Sequence, residues 1–151
     1  MGIIPELERD DLLAAYYKRL TSSCQQTVAQ AARAFSQWEF RIATLYANEA
    51  AVQSVLNSPV MLSVARLECH YMNHGCFLAD NQLLDNMHKI QHIPGYIVHG
   101  RYDVVCAPQQ AWRLHQHWPG SELSFVIAGH SMKDEAIAKA LVAITDRLIS
   151  R

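Results

Sequence analysis

Tyr96-Ile97-Val98-His99-Gly100-Arg101-Tyr102-Asp103 reads as a buried strand that stops at an acid. Leu123-Ser124-Phe125-Val126-Ile127-Ala128-Gly129-His130-Ser131 reads as a second strand that stops at a histidine. Nearly continuous apolar runs rich in β-formers are how parallel strands covered on both faces look in sequence. Between them Pro108 opens a helix carrying Ala111, Trp112, Leu114, His115 and Trp118, and Pro119-Gly120 closes it. Past the second strand, Ser131 with Asp134 three residues later predicts a capping-box start for a last helix carrying Ile137, Ala140, Leu141, Ile144 and Leu148. The order β-α-β-α predicts parallel strands joined by a right-handed crossover. An acid and then a histidine, each just past a strand end, follow the chain order of the last two members of a Ser-Asp-His triad on such a sheet. Neighbouring strands lie ~4.8 Å apart, so residues just past their ends can meet. The first member of that triad, a serine in a Gly-x-Ser-x-Gly turn, does not occur in the 151 residues.

Upstream the period changes from strand to helix. A first helix is expected from about Asp10 and Asp11 to Leu20, with the acids suited to its N-terminus. A second follows Thr21, Ser22 and Ser23, with Val28, Ala31, Ala32, Phe35, Trp38 and Ile42 as its apolar stripe. A third takes Ser58 as cap and Pro59 in its first turn, carries Val60, Met61, Val64, Leu67 and Tyr71, and ends at Gly75. A fourth is expected from Asp80 through Leu83, Leu84, Met87 and Ile90 to the residues before Pro94. The chain therefore divides into a helical portion, residues 1–92, and a β-α-β-α portion, residues 93–151. Two parallel strands alone cannot make a sheet buried on both faces, because each keeps an open edge. The expectation is that these strands belong to a larger sheet or pair an edge with another chain.

Two glutamates interrupt apolar stripes. Glu39 follows Phe35 by four residues and precedes Ile42 by three; Glu68 follows Val64 by four and precedes Tyr71 by three. A buried, unpaired carboxylate costs several kcal/mol or takes up a proton, so each needs a partner. Either they form internal salt bridges with Arg33, Arg41 or Arg66, or they line a pocket for a cationic ligand group.

Composition narrows the function classes. Half the residues are apolar, 18% are charged and the net charge is -1, which points away from nucleic acid and anionic membrane surfaces. No apolar run reaches the ~18 residues of a membrane helix, and Met1-Gly2-Ile3-Ile4-Pro5-Glu6 has neither the basic nor the apolar region of a secretory signal. A cytoplasmic protein with its four cysteines (Cys24, Cys69, Cys76, Cys106) reduced is the expectation. The cluster Cys69, His70, His74 and Cys76 lacks a second group at zinc-ligand spacing and reads as surface or packing residues, so no metal and no cofactor is expected. Cys106 has no evident thiolate-stabilising partner and is not read as a nucleophile. Ser36 and Ser131 lack the flanking glycines of a nucleophile turn.

The run Ile93-Pro94-Gly95-Tyr96-Ile97-Val98-His99-Gly100-Arg101-Tyr102-Asp103-Val104-Val105-Cys106 resembles the acid-bearing segment of bacterial proline iminopeptidases. Gln110-Ala111-Trp112, Trp118-Pro119 and Gly129-His130-Ser131 continue the resemblance in order. Upstream, Ala31-Ala32-Arg33-Ala34-Phe35-Ser36-Gln37-Trp38-Glu39, Ala65-Arg66-Leu67-Glu68-Cys69-His70-Tyr71 and Asp80-Asn81-Gln82-Leu83-Leu84 resemble that family's helical cap. The resemblance implies the C-terminal part of an α/β-hydrolase: a cap segment followed by the last strands of the core. It implies a metal-free serine peptidase that releases an unblocked N-terminal proline from peptides. Asp103 would be the triad acid and His130 the general base. Glu39 and Glu68 would hold the substrate's charged amino group.

The departure from the family is the absent nucleophile turn, and with it the oxyanion-hole loop and most of the sheet. The isolated chain is therefore expected not to hydrolyse proline amides. Two alternatives accompany this reading: a non-catalytic fragment acting as a binding or association module, and one subunit of a split enzyme whose serine half lies on another chain.

Overall fold

The computed structural model describes residues 2–150. They form two compact units, residues up to 41 with 48–79, and residues 42–47 with those from 80 onward.

The first unit is helical. Asp11 accepts a hydrogen bond from Ala14 N at 2.9 Å and starts α1 (Leu12–Leu20). The long α2 (Gln25–Ile42) buries Val28, Ala31, Ala32 and Phe35, the first four members of its expected stripe. The fifth, Trp38, is 61% exposed. A helix that the apolar spacing does not announce, α3 (Glu49–Leu56), begins at Asn48, whose side chain accepts from Ala51 N at 3.1 Å. Then comes α4 (Met61–Asn73). Its phase differs from the expected one: Val60, Leu67 and Tyr71 are exposed, whereas Ala65 and Cys69 are fully buried. They share one core with Leu20, Ala31, Ala32 and Phe35, flanked by Leu13, Tyr16, Tyr17, Met61 and Leu62. Small side chains win this face because α1 packs directly on α4, and close-packed helices favour residues that let backbones approach. Arg66 donates from Nε to Leu20 O at 2.9 Å, satisfying a carbonyl at the end of α1. Ser58 Oγ accepts from Val60 N at 3.3 Å, so it organises the turn before α4 instead of capping the helix itself. Gly75 ends α4 as expected, with φ +56. The left-handed backbone continues through Cys76 and Phe77.

The second unit carries a parallel pair, β1 (Gly95–Gly100) and β2 (Ser121–Val126), in register from Gly95↔Ser121 to Gly100↔Val126. The expected fourth helix is broken. Only α5 (Gln82–Asp85) and a short 3-10 turn at Met87–Lys89 form. Asn86 Nδ2 donates to Gln82 O at 2.7 Å, so a side chain takes the helix-propagating acceptor. Between the strands α6 (Pro108–Gln116) starts on Pro108, and Trp118 closes the return: its Nε1 donates to Ile93 O at 2.9 Å. Its ring lies so tightly over Gly95 that no Cβ fits there.

The last helix, α7 (Glu135–Ile149), starts at Glu135 without the expected capping box. Asp134 makes no cap bond; its carboxylate turns back to Gly129 N at 2.6 Å and Leu45 N at 3.1 Å. The strands are also less covered than their apolar content predicts. Glu122 and Ser124 are exposed, and Ile127 is 68% exposed. Among the described residues the sheet has two strands, so each has one open edge.

Candidate functional site

Asp103 sits two residues beyond the turn of Arg101 off β1, and only 6% of it is exposed. Two backbone amides and two imidazole nitrogens surround its carboxyl group. Oδ1 accepts from Val105 N at 2.9 Å and Cys106 N at 2.8 Å, an Asx turn that locks the carboxyl plane. Oδ2 lies 3.0 Å from His130 Nδ1 and 3.2 Å from His99 Nε2. With backbone N–H groups on one oxygen and imidazoles on the other, the carboxylate only accepts. His130 Nδ1 must then carry the proton, which leaves Nε2 with its lone pair free. The His130 side chain is 41% exposed, so Nε2 can be reached.

The loop that carries His130 is held on both flanks. His130 N and Ser131 N both donate to Ala43 O, at 2.8 and 2.7 Å. The Asp134 carboxylate accepts from Gly129 N. Gly129 is packed so that a Cβ would stand 2.9 Å from Leu45 N and 3.0 Å from Ala43 O. Gly100 abuts the Gly129 carbonyl, and a Cβ at Gly100 would collide with it. Absence of a side chain at Gly100 lets the ends of β1 and β2 converge, and its absence at Gly129 seats the histidine loop against Ala43–Leu45. Arg101 N and Tyr102 N extend the ladder past the strand by donating to Val126 O and Ala128 O at 2.8 and 3.0 Å.

In the first unit, Glu39 on α2 and Glu68 on α4 stand side by side. None of the three candidate arginines pairs with them. Arg33 reaches Gln53 at 3.5 Å, Arg41 binds Glu49 bidentately at 2.9 and 3.0 Å, and Arg66 caps Leu20. One oxygen of each acid, Glu39 Oε2 and Glu68 Oε2, is buried without a hydrogen-bond partner. Burial pushes the Glu39 carboxyl up to about 8, helped by a hydrogen bond to Glu68 and by that group's charge. Two carboxylates cannot bond each other; one shared proton lets them do so, and a cation placed between them could take the proton's role. The salt-bridge alternative is thus not realised, and the two acids pair with each other.

Other candidates take packing roles. The His70 and His74 rings lie tilted at 46° with centroids 4.4 Å apart, and His74 lies nearly parallel to Phe77 at 5.3 Å. His74 Nδ1 donates to His70 O at 2.7 Å. Cys69 is buried in the core of the unit, and the described residues contain no group of three or more His, Cys, Asp or Glu able to hold a metal. The Cys106 thiol is pushed up by burial and by the charge of Asp103, the reverse of what a thiolate nucleophile needs. A cavity of about 330 Å³ between the sheet and α7 is lined by Tyr96, Glu122, Ser124, Ala140, Ile144 and Arg147, and excludes Asp103 and His130. The Arg147–Glu122 pair at 2.8 Å spans it.

No protein-family model matches the chain. Curated proteins do. The chain is 44% identical over 151 residues to a proline iminopeptidase of Xylella fastidiosa, covering 99% of this chain and 48% of that protein. A proline iminopeptidase of Xanthomonas citri is 44% identical over 148 residues, 97% of this chain and 47% of the relative. One from Arabidopsis thaliana is 44% identical over 149 residues, 97% and 39%. These homologues, matched along nearly the whole of this chain, are named proline iminopeptidase, consistent with this chain being a C-terminal portion of such a protein. It spans about half the length of the curated relatives it matches. Its helical segment followed by a small parallel sheet is compatible with the C-terminal part of an α/β-hydrolase. Among the described residues no helix is long and apolar enough to cross a membrane.

Sequence reasoning singled out Asp103, His130, Glu39 and Glu68. It passed over His99, whose position in an otherwise apolar strand end was the available signal. It also passed over Asp134, which the capping-box spacing disguised, and Ala43, which carries no chemical signal at all.

Proposed function

We propose that this chain carries the proton-transfer and amine-recognition parts of a serine peptidase that releases an unblocked N-terminal proline from peptides. The observation that carries this reading is the 3.0 Å contact of His130 Nδ1 with a fully coordinated Asp103 at the ends of adjacent parallel strands. Asp103 holds the tautomer and stabilises the imidazolium; His130 Nε2 takes the proton of a serine and later passes it to the leaving proline-amide nitrogen. Glu39 and Glu68 take the substrate's secondary ammonium in place of their shared proton. A blocked amino terminus would leave both acids unpaired, which accounts for an exopeptidase preference. In this reading residues 1–92 are the cap portion, residues 93–151 belong to the hydrolase core, and the enzyme is cytoplasmic and needs no metal.

The nucleophile and the oxyanion hole come from sequence outside these 151 residues, so the chain alone is inactive. The test is hydrolysis of a proline arylamide by the purified chain, alone and co-expressed with a relative's segment bearing the Gly-x-Ser-x-Gly turn. No turnover alone, turnover when co-expressed, and loss of that turnover in His130→Ala are expected. Turnover by the chain alone that His130→Ala abolishes would overturn the claim of inactivity; co-expressed turnover that survives His130→Ala would overturn the base assignment.

A second reading rests on the open edges of the two-stranded sheet. Unpaired strand edges recruit further strands, so the chain serves as an association module, with itself or with a serine-bearing half. A monodisperse monomer by light scattering at working concentration counts against it.

A further inference from the structure

We propose that His99 is a positioning residue for Asp103, a role that rests on the reading of Asp103 and His130 as acid and base. His99 is the penultimate residue of β1, paired in register with Phe125. Its Nε2 lies 3.0 Å from Cys106 O, a group that can only accept, so Nε2 carries the proton and donates. The same nitrogen lies 3.2 Å from Asp103 Oδ2, the oxygen that meets His130. The Nε2–H group therefore donates to the far end of the turn whose amides, at Val105 and Cys106, hold Oδ1, and the nitrogen stands close beside the carboxylate. Its side chain is 18% exposed and its ring packs edge-on to Phe125 at 6.3 Å, beneath the Arg101 guanidinium stacked 4.7 Å over the same ring. These contacts leave the imidazole little freedom to turn away.

Two consequences follow for the acid. The turn from Asp103 to Cys106 would otherwise be held by the carboxylate alone; His99 ties its last carbonyl back to the strand, so the carboxyl plane is fixed from outside the turn. A neutral N–H on Oδ2 also shares the negative charge that His130 would otherwise meet undivided. His99 thus sets both the direction and the strength of the Asp103–His130 contact without touching substrate. His130 Nδ1 has Asp103 as its partner, and Asp103 has His99.

The test is nitrogen-15 NMR of the imidazole rings in the chain itself, compared with His99→Gln, which keeps a donor near Nε2, and His99→Leu, which does not. In the unsubstituted chain His99 is expected as the Nε2–H tautomer and His130 as Nδ1–H. His99→Leu is expected to mix the His130 tautomers, because the carboxyl plane is no longer held from outside its turn. His99→Gln restores the single Nδ1–H form. A His99 found as Nδ1–H in the unsubstituted chain overturns the proposal whether or not the variants fold. So does a folded His99→Leu with an unchanged His130 tautomer. The spectra need no turnover, so this proposal and the peptidase reading fail separately: His130→Ala with persistent turnover in the co-expressed enzyme defeats the latter and leaves the His99–Asp103 contact standing.

Discussion

Replacing Glu39 by Gln is expected to stabilise the chain above neutral pH. Glu39 titrates near 8 in the folded chain against an ordinary 4.5, first because it is buried and then because Glu68 stands beside it. A carboxyl whose folded value is raised binds its proton more tightly when folded. Its contribution to stability is fully present below pH 4.5 and is lost progressively up to about 8, since the unfolded chain releases the proton first. At ~1.4 kcal/mol per pH unit the ceiling of this loss is about 5 kcal/mol. Glu39 is half-buried, not enclosed, and solvent screening reduces the expected loss to about 2 kcal/mol. Gln at position 39 has the same shape, no charge, and an amide that can donate to Glu68. It is therefore expected to match the parent at pH 4.5 and to exceed it by about 2 kcal/mol at pH 8.5, a rise of roughly 1 M in urea midpoint for a typical m-value. The assay is urea unfolding by circular dichroism from pH 4.5 to 8.5, read as variant minus parent so that the histidines' own titrations cancel. A difference that stays flat across this range would refute the argument, because it would mean that Glu39 is not proton-bound when folded. An opposite slope would mean that a cation already pairs with the acids.

Three further outcomes follow from the loop geometry and the thiols. Gly100→Ala is expected to destabilise by on the order of 3 kcal/mol or more, because its Cβ has no room against the Gly129 carbonyl; a melting temperature within a degree of the parent would contradict it. Asp134→Ala removes the acceptor for Gly129 N and Leu45 N and is expected to cost about 1–3 kcal/mol by the same urea assay, with His130 resonances broadened as its loop loosens. Iodoacetamide is expected to alkylate Cys24 before Cys106 at pH 7.5, by mass spectrometry of peptides: hydrogen bonds from Thr27 lower the first thiol, while burial and Asp103 raise the second.

Much of the second unit was legible from residues alone. The two strand runs followed by Asp103 and His130, a proline-started helix between them, and the parallel pairing all follow from local pattern and chain order. The helical unit was legible in outline and wrong in phase on α4. Apolar residues recur there on two adjacent faces, one led by Leu67 and Tyr71 and one by Ala65 and Cys69. Periodicity ranks faces by size and favours the first; the close approach of α1 selects the second. Helix breaking after Asp85 was hidden for a similar reason, since the acceptor taken by Asn86 is a backbone group with no mark in sequence.

The sequence by itself determined which residue types stand at strand ends and on half-buried helix faces, because side-chain period and strand propensity act over a few neighbours. It therefore sufficed to single out Asp103, His130, Glu39 and Glu68 as candidates. Tertiary structure alone decided their partners: that Glu39 meets Glu68 and not an arginine, that Asp103 is shared by His130 and His99, and that Asp134 and Ala43 hold the histidine loop. Such pairings join residues far apart in the chain. The Asp103–His130 pairing further needs a glycine at 100, where a Cβ would collide with the Gly129 carbonyl, and no local period encodes that approach.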